Sequence, residues 1–201
     1  MGILHTAPPG AGDATLLYRW LTDRQGRCNV FDAHLFACVL ARRWPAGPGA
    51  LGLDDPALTH LLGKYFPGAF DPGAFEEGMP VPDCSPTPLP PLLRSEADDI
   101  AALLLAHRSL GIEEEEWLAA IIARAMLDGG ELWRDLGLAG PSHLAALMER
   151  HFESLALLNA TGTRWKVFLY RLLCARDGLI PCGAPVCRDC GAEAVCFGAG
   201  D

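Results

Sequence analysis

Four cysteines close to the C-terminus, Cys182, Cys187, Cys190 and Cys196, are spaced C-x4-C-x2-C-x5-C and fall within fifteen residues. Cysteine thiolates are soft donors, and a short run of them on one loop is how proteins hold iron–sulfur clusters. Gly, Ala and Pro fill the intervening positions, with Pro185 between two of the cysteines, so the segment has the composition of a loop that wraps something compact.

Two other readings fit part of the spacing. Tetrahedral zinc also takes four cysteines, and Cys187-Arg-Asp-Cys190 is an acceptable half-site for it. Zinc ribbons, however, commonly separate two such pairs by roughly 15–20 residues, farther than the outer cysteines here allow. The C-x4-C-x2-C opening also matches the plant-type ferredoxin loop, which needs a distant fourth ligand in a mostly β context. Spacing favours a cluster and leaves zinc open. Cys174, eight residues upstream of Cys182, is either a fifth thiolate or a cysteine buried as a small apolar residue.

The remaining sequence reads as helices that would position this loop. Apolar residues recur at three- and four-residue spacing from about Asp13 to Trp20 and from Val30 to Arg43. Asp54 or Asp55 can cap a third helix with Pro56 in its first turn and Leu58, Leu61, Leu62, Tyr65 and Phe66 buried. Pro67 to Pro91 is too rich in Pro and Gly to propagate a helix and reads as a linker. Ser95 is a good cap for the next helix, which runs to Arg108, and Gly111 closes the turn. Glu113 to Glu116 then sit where the exposed N–H groups of a helix start favour negative charge, ahead of Trp117, Ile121, Ile122 and Met126. One further helix from Pro141-Ser142 buries Leu144, Leu147, Phe152 and Leu155, and a last one spans about Thr163 to Ala175. No segment reads as a strand. The expectation is an all-α fold in one domain: an irregular helical bundle with N-terminal helices over 1–66, a Pro/Gly-rich linker over 67–93, a helical block over 94–177 and a cysteine-rich loop over 178–201.

The formal net charge of −9 and the scattered arginines provide no basic stripe for a phosphate backbone, which argues against a nucleic-acid partner. No run approaches the roughly 18 apolar residues of a membrane span, and no secretion signal precedes the first helix, so a cytoplasmic location is expected. Eight cysteines in such a setting are metal ligands, redox groups or buried thiols rather than disulfides. No nucleophile–histidine–acid set, phosphate loop or pair of catalytic carboxylates stands out, so no enzymatic turnover is expected.

The stretch Trp165-Lys-Val-Phe-Leu-Tyr-Arg-Leu-Leu-Cys174, followed by Gly178-Leu-Ile-Pro-Cys182-Gly-Ala-Pro-Val-Cys187-Arg-Asp-Cys190 and Cys196-Phe-Gly198, resembles the NifQ family of nitrogen-fixation proteins. The likeness continues upstream in Leu93-Arg-Ser-Glu-Ala-Asp-Asp-Ile, Leu103-Leu-Leu-Ala-His-Arg108, Trp117-Leu-Ala-Ala-Ile-Ile-Ala and Leu132-Trp-Arg-Asp-Leu-Gly-Leu138. The resemblance implies a metallochaperone that holds molybdenum on an iron–sulfur cluster, of the [3Fe-4S] or [4Fe-4S] kind and able to incorporate the metal. It would pass that molybdenum to the proteins assembling the iron–molybdenum cofactor of nitrogenase. Carried over, Cys182, Cys187, Cys190 and Cys196 become cluster ligands, Cys174 a candidate fifth, and Trp165 and Tyr170 residues that seat the last helix. His107 lies in a matching motif and is a candidate ligand for an incoming molybdenum oxyanion, beside Arg108; its plain reading is a helix-end cap. Glu131 stands where the family commonly has histidine. His143 and His151 read as surface or partly buried side chains. An electron carrier and a zinc-stabilised helical interaction module are the competing functions.

Overall fold

A computed structural model describes residues 14–69 and 89–176, and the chain divides into two compact units, Met1–Pro88 and Leu89–Asp201. The fold is all-α: among the described residues there are nine α-helices and no strand.

The first unit is built on α1 (Ala14–Thr22), α2 (Val30–Arg43) and α3 (Asp55–Tyr65). Asn29 starts α2 by accepting the N–H groups of Phe31 and Asp32 at 3.0 and 3.2 Å, which satisfies donors that have no partner within the helix. Asp54 does the same for α3 through Ala57 N–H at 2.8 Å, with Pro56 in the first turn, as the sequence predicts. Between α2 and α3 the chain makes two short 3-10 turns, Trp44–Ala46 and Pro48–Leu51, which periodicity does not reveal. Pro45, Pro48 and a glycine held at φ +92°, Gly47, interrupt regular helix there. Leu17, Trp20 and Leu21 of α1 are buried together with Leu35, Phe36 and Val39 of α2, and the Phe36 and Tyr65 rings pack at 4.8 Å.

The second unit contains α4 (Pro91–Ala106), α5 (Glu113–Met126), a single turn α6 (Leu132–Asp135), α7 (Pro141–His151), α8 (Glu153–Leu158) and α9 (Trp165–Arg176). Two boundaries differ from those the sequence suggests. The fourth helix opens at Pro91 rather than at Ser95, because proline in the first turn loses only an N–H that has no intrahelical acceptor. The expected long helix from Pro141 breaks into α7 and α8 at Phe152, whose backbone at φ −140° and ψ 51° leaves helical geometry. That twist carries the Phe152 ring into the core, where it is fully buried, while its N–H still donates to the Met148 carbonyl at 2.8 Å. A periodic pattern runs unbroken across such a joint, so it cannot report it.

The turn between α4 and α5 is held by one buried side chain. Glu115 points back from the first turn of α5 and accepts four consecutive backbone N–H groups: Ser109 and Leu110 on Oε1 at 3.0 and 2.8 Å, Gly111 and Ile112 on Oε2 at 2.7 and 3.2 Å. Four donors pointing into one concavity are suited to an anion, and here the chain supplies its own. Gly111 adopts φ +70° at this turn, a conformation that costs other residues energy.

Candidate metal centre

Cys182, Cys187, Cys190 and Cys196 lie outside the described residues. What the structure does describe is α9, which ends at Arg176, six residues before the first of them in sequence. Three of the segments that carry the resemblance, Leu93–Ile100, Leu132–Leu138 and Trp165–Cys174, meet at this helix.

At its start, Lys166 is almost wholly enclosed, with 4% of its surface accessible. Its ammonium donates to Asp135 Oδ2 at 2.7 Å and to the Asp128 carbonyl at 2.5 Å. A buried cation in this position is tolerated only because a carboxylate and a carbonyl replace its water. Asp135 is the acid of Leu-Trp-Arg-Asp-Leu-Gly-Leu, so that motif forms the anchor for the head of α9. The fit is close around the carboxylate: a Cβ on Gly130 would stand 2.5 Å from Asp135 Oδ1.

One helical turn further on, Tyr170 is buried and its hydroxyl donates to Glu96 Oε1 on α4 at 2.5 Å. At the end of α9, Arg176 pairs with Asp99, also on α4, at 3.1 Å across the surface. Glu96 and Asp99 are the two acids of Leu-Arg-Ser-Glu-Ala-Asp-Asp-Ile that α9 uses. Sequence reasoning missed these contacts, although a lysine and a tyrosine inside an apolar run, and paired acids at three-residue spacing, are the signals that could have raised them.

Cys174, four residues after Tyr170 on the same helix, is buried with 8% of its surface accessible. His107 caps the end of α4, its N–H donating to the Leu104 carbonyl at 2.9 Å, and its ring Nδ1 lies 2.8 Å from Ser154 Oγ in a hydrogen bond. Arg108 beside it pairs with Glu116 at 3.2 Å. Among the described residues, no group of three or more His, Cys, Asp or Glu side chains is arranged to hold a metal ion, so His107 and Cys174 are not brought together in such a group. His143 is exposed, whereas His151, expected nearer the surface, is fully buried.

Glu131 precedes α6 and pairs with Arg164, the residue before α9, at 3.2 Å. Both line a cleft of about 640 Å³ whose walls include Trp133, Trp165, Leu144 and Asn159. Glu131 therefore braces the approach to α9 by a surface charge pair, a contribution that solvent screens to a fraction of a kcal/mol, on the order of 0–1.

In the first unit, Cys38 and His34 are one helical turn apart on α2, and Tyr18 O–H and His34 Nδ1 form a hydrogen bond at 2.8 Å. Cys38 Sγ is 3.9 Å from Nδ1 and 3.8 Å from Nε2. Near-equal distances place the sulfur beside the ring between the two nitrogens instead of along either lone pair, which is packing geometry. Burial pushes the Cys38 thiol up to about 11 and also raises Cys28, for which Asp32 adds to the rise and Lys64 opposes it. Both favour the protonated thiol at neutral pH, the form that neither attacks nor ligates metal.

The profile of the NifQ family matches residues 33–198, a range that includes Cys182, Cys187, Cys190 and Cys196. "Protein NifQ" of Azotobacter vinelandii is 37% identical over 154 residues, covering 76% of this chain and 79% of the relative. "Protein NifQ homolog" of Sinorhizobium fredii (strain NBRC 101917 / NGR234) is 38% identical over 179 residues, 85% of this chain and 74% of the relative. "Protein NifQ" of Rhodobacter capsulatus is 32% identical over 175 residues, 84% and 91%. No solved structure matches the chain.

Proposed function

The chain belongs to the NifQ family of nitrogen-fixation proteins, and on that premise we propose that it is a molybdenum carrier. In this reading Cys182, Cys187, Cys190 and Cys196 hold an iron–sulfur cluster of the [3Fe-4S] or [4Fe-4S] kind into which molybdenum is incorporated. The protein then yields that metal to cytoplasmic proteins that assemble the iron–molybdenum cofactor of nitrogenase, and it acts by donation and not by turnover. The observation that carries the proposal is the C-x4-C-x2-C-x5-C run inside the region matched by the family. Thiolates together with bridging sulfides are soft donors that suit iron and reduced molybdenum.

The test is anaerobic reconstitution of the full chain with iron and sulfide, then supply of molybdate and reductant, with metal analysis and electron paramagnetic resonance at each stage. The proposal expects labile sulfide, several irons per chain, molybdenum retained through gel filtration, and loss of iron when any one of the four cysteines is changed to Ala. Stoichiometric zinc without labile sulfide would overturn it in favour of a zinc-stabilised module. Iron that never takes up molybdenum would instead indicate an electron carrier. No helix among the described residues is long and apolar enough to cross a membrane.

A further inference from the structure

We infer that the cleft beside the head of α9 binds a flat aromatic group carrying one N–H or O–H donor, a property that the carrier reading neither requires nor supplies. Its volume of about 640 Å³ lies within the range of small-molecule sites. Trp133 and Trp165, both half-buried, form its walls together with the apolar side chains of Leu144, Ala145 and Ala156. Both indoles are held in place. Trp165 packs edge-on against Phe168 with ring centres 5.5 Å apart, and the Arg134 guanidinium lies 4.8 Å from the centre of the Trp133 ring. Walls of this kind favour a further ring, in offset or edge-to-face contact.

The charges of the cleft cancel. Glu131 pairs with Arg164 at 3.2 Å, and Arg134 and Glu149 add one charge of each sign, so neither an oxyanion nor a simple cation meets a net attraction. What the lining lacks is a donor at one point. Asn159 lines the cleft, has only 7% of its surface accessible, and is oriented by its Nδ2, which donates to the Thr163 carbonyl at 2.8 Å. That bond turns Oδ1 away from Thr163, and this oxygen is buried with no hydrogen-bond partner among the described residues. A carbonyl oxygen shut off from both water and donors is unfavourable. A small turn of the carboxamide, at the residue where the backbone leaves α8, lets a ligand donor in the cleft meet it. The same ring and donor are available from a free aromatic compound and from a tryptophan or tyrosine side chain of another protein.

The experiment titrates the full metal-free chain with indole, with 1-methylindole, which has the same rings and no donor, and with N-acetyltryptophanamide, reading affinity by saturation-transfer NMR. Indole is expected to bind with a Kd of roughly 1 mM or tighter, and 1-methylindole about tenfold more weakly, the factor that one hydrogen bond supplies. Ala145→Phe on α7 and Ala156→Phe on α8 each fill the cleft from a different helix and should abolish indole binding, with circular dichroism and urea unfolding identifying a variant that keeps the wild-type fold. Asn159→Ala should bring indole and 1-methylindole to equal affinity, a ratio that a merely structural role for Asn159 would not move. N-acetyltryptophanamide binding as tightly as indole would assign the cleft to a side chain of a partner, and binding of indole alone would assign it to a free compound. No binding of indole to the wild-type chain, leaving water as the donor to Asn159, would overturn the inference. So would equal affinities for indole and 1-methylindole in the wild-type chain, or undiminished binding in a folded filled variant. None of these readings depends on whether the chain takes up a cluster, so the inference and the carrier reading fail separately.

Discussion

Replacing Lys166 by Met should be among the most damaging single changes in the second unit. The ammonium is buried with side-chain exposure of 5%, against 9% for Asp135, and its loss removes this ion pair from an enclosed carboxylate together with the hydrogen bond to the Asp128 carbonyl. Removing one partner of a buried ion pair costs about 3–5 kcal/mol, a large part of the ~5–15 kcal/mol by which a domain is stable. With a urea slope of about 2 kcal/mol/M, the unfolding midpoint should fall by roughly 1.5–2.5 M. The sharper assay is the double change Lys166→Met with Asp135→Leu. It removes both charges and fills the space with apolar atoms, so it should recover most of the loss, leaving about 1 kcal/mol for the unmade Asp128 hydrogen bond. A Lys166→Met cost below about 1 kcal/mol would refute the reasoning, as would a double variant whose cost equals the sum of the single ones.

Glu115→Gln keeps the shape of the side chain but turns an NH2 group toward N–H donors that now meet a carboxylate. Since part of the turn can regain water, the expected loss is about 2–3 kcal/mol by urea unfolding, with faster amide exchange at Leu110 and Gly111; unchanged exchange there would count against the four-donor arrangement. Cys38, with its thiol pushed up to about 11 against an ordinary value of 9.0, should be alkylated at pH 8 roughly a hundredfold more slowly than an unperturbed cysteine, because only the thiolate reacts. Its rate should climb about tenfold per pH unit up to pH 10, and a plateau by pH 9 would show the shift to be wrong.

Much of the helical framework was legible because its signals are local. The cap at Asp54, the proline behind it and the glutamates ahead of Trp117 all act within a few residues of where they stand in sequence. The joint at Phe152 was not, since a buried aromatic keeps the apolar rhythm whether or not the backbone is helical at that point. The glutamates show a subtler limit: a run of negative charge at a helix start was readable, but not that Glu115 would fold back on the preceding turn. The contacts that seat α9 were beyond reach for a different reason. Lys166 finds Asp135 across 31 residues and Tyr170 finds Glu96 across 74, and no short-range rule selects one acid among many at such separations. The family likeness marked the right segments without saying that they touch. For the cysteines, chemistry was inferred from spacing and from the family resemblance, and their arrangement lies outside the described residues.

Two of the long-range contacts of α9 also order events in the newly made chain. Glu96 and Asp135 are synthesised well before their partners, so each waits hydrated until the last helix appears. Once it does, the Lys166–Asp135 loop of 31 residues closes at a lower entropic cost than the Tyr170–Glu96 loop of 74, by about 0.8 kcal/mol from the length dependence alone. The head of α9 should accordingly dock first and its tail second, from the Lys166 end toward Arg176. The cysteines come after that tail in the sequence, so under the carrier role proposed above the frame closes before a cluster is loaded, and a chain stalled between the two steps would be folded yet unloaded.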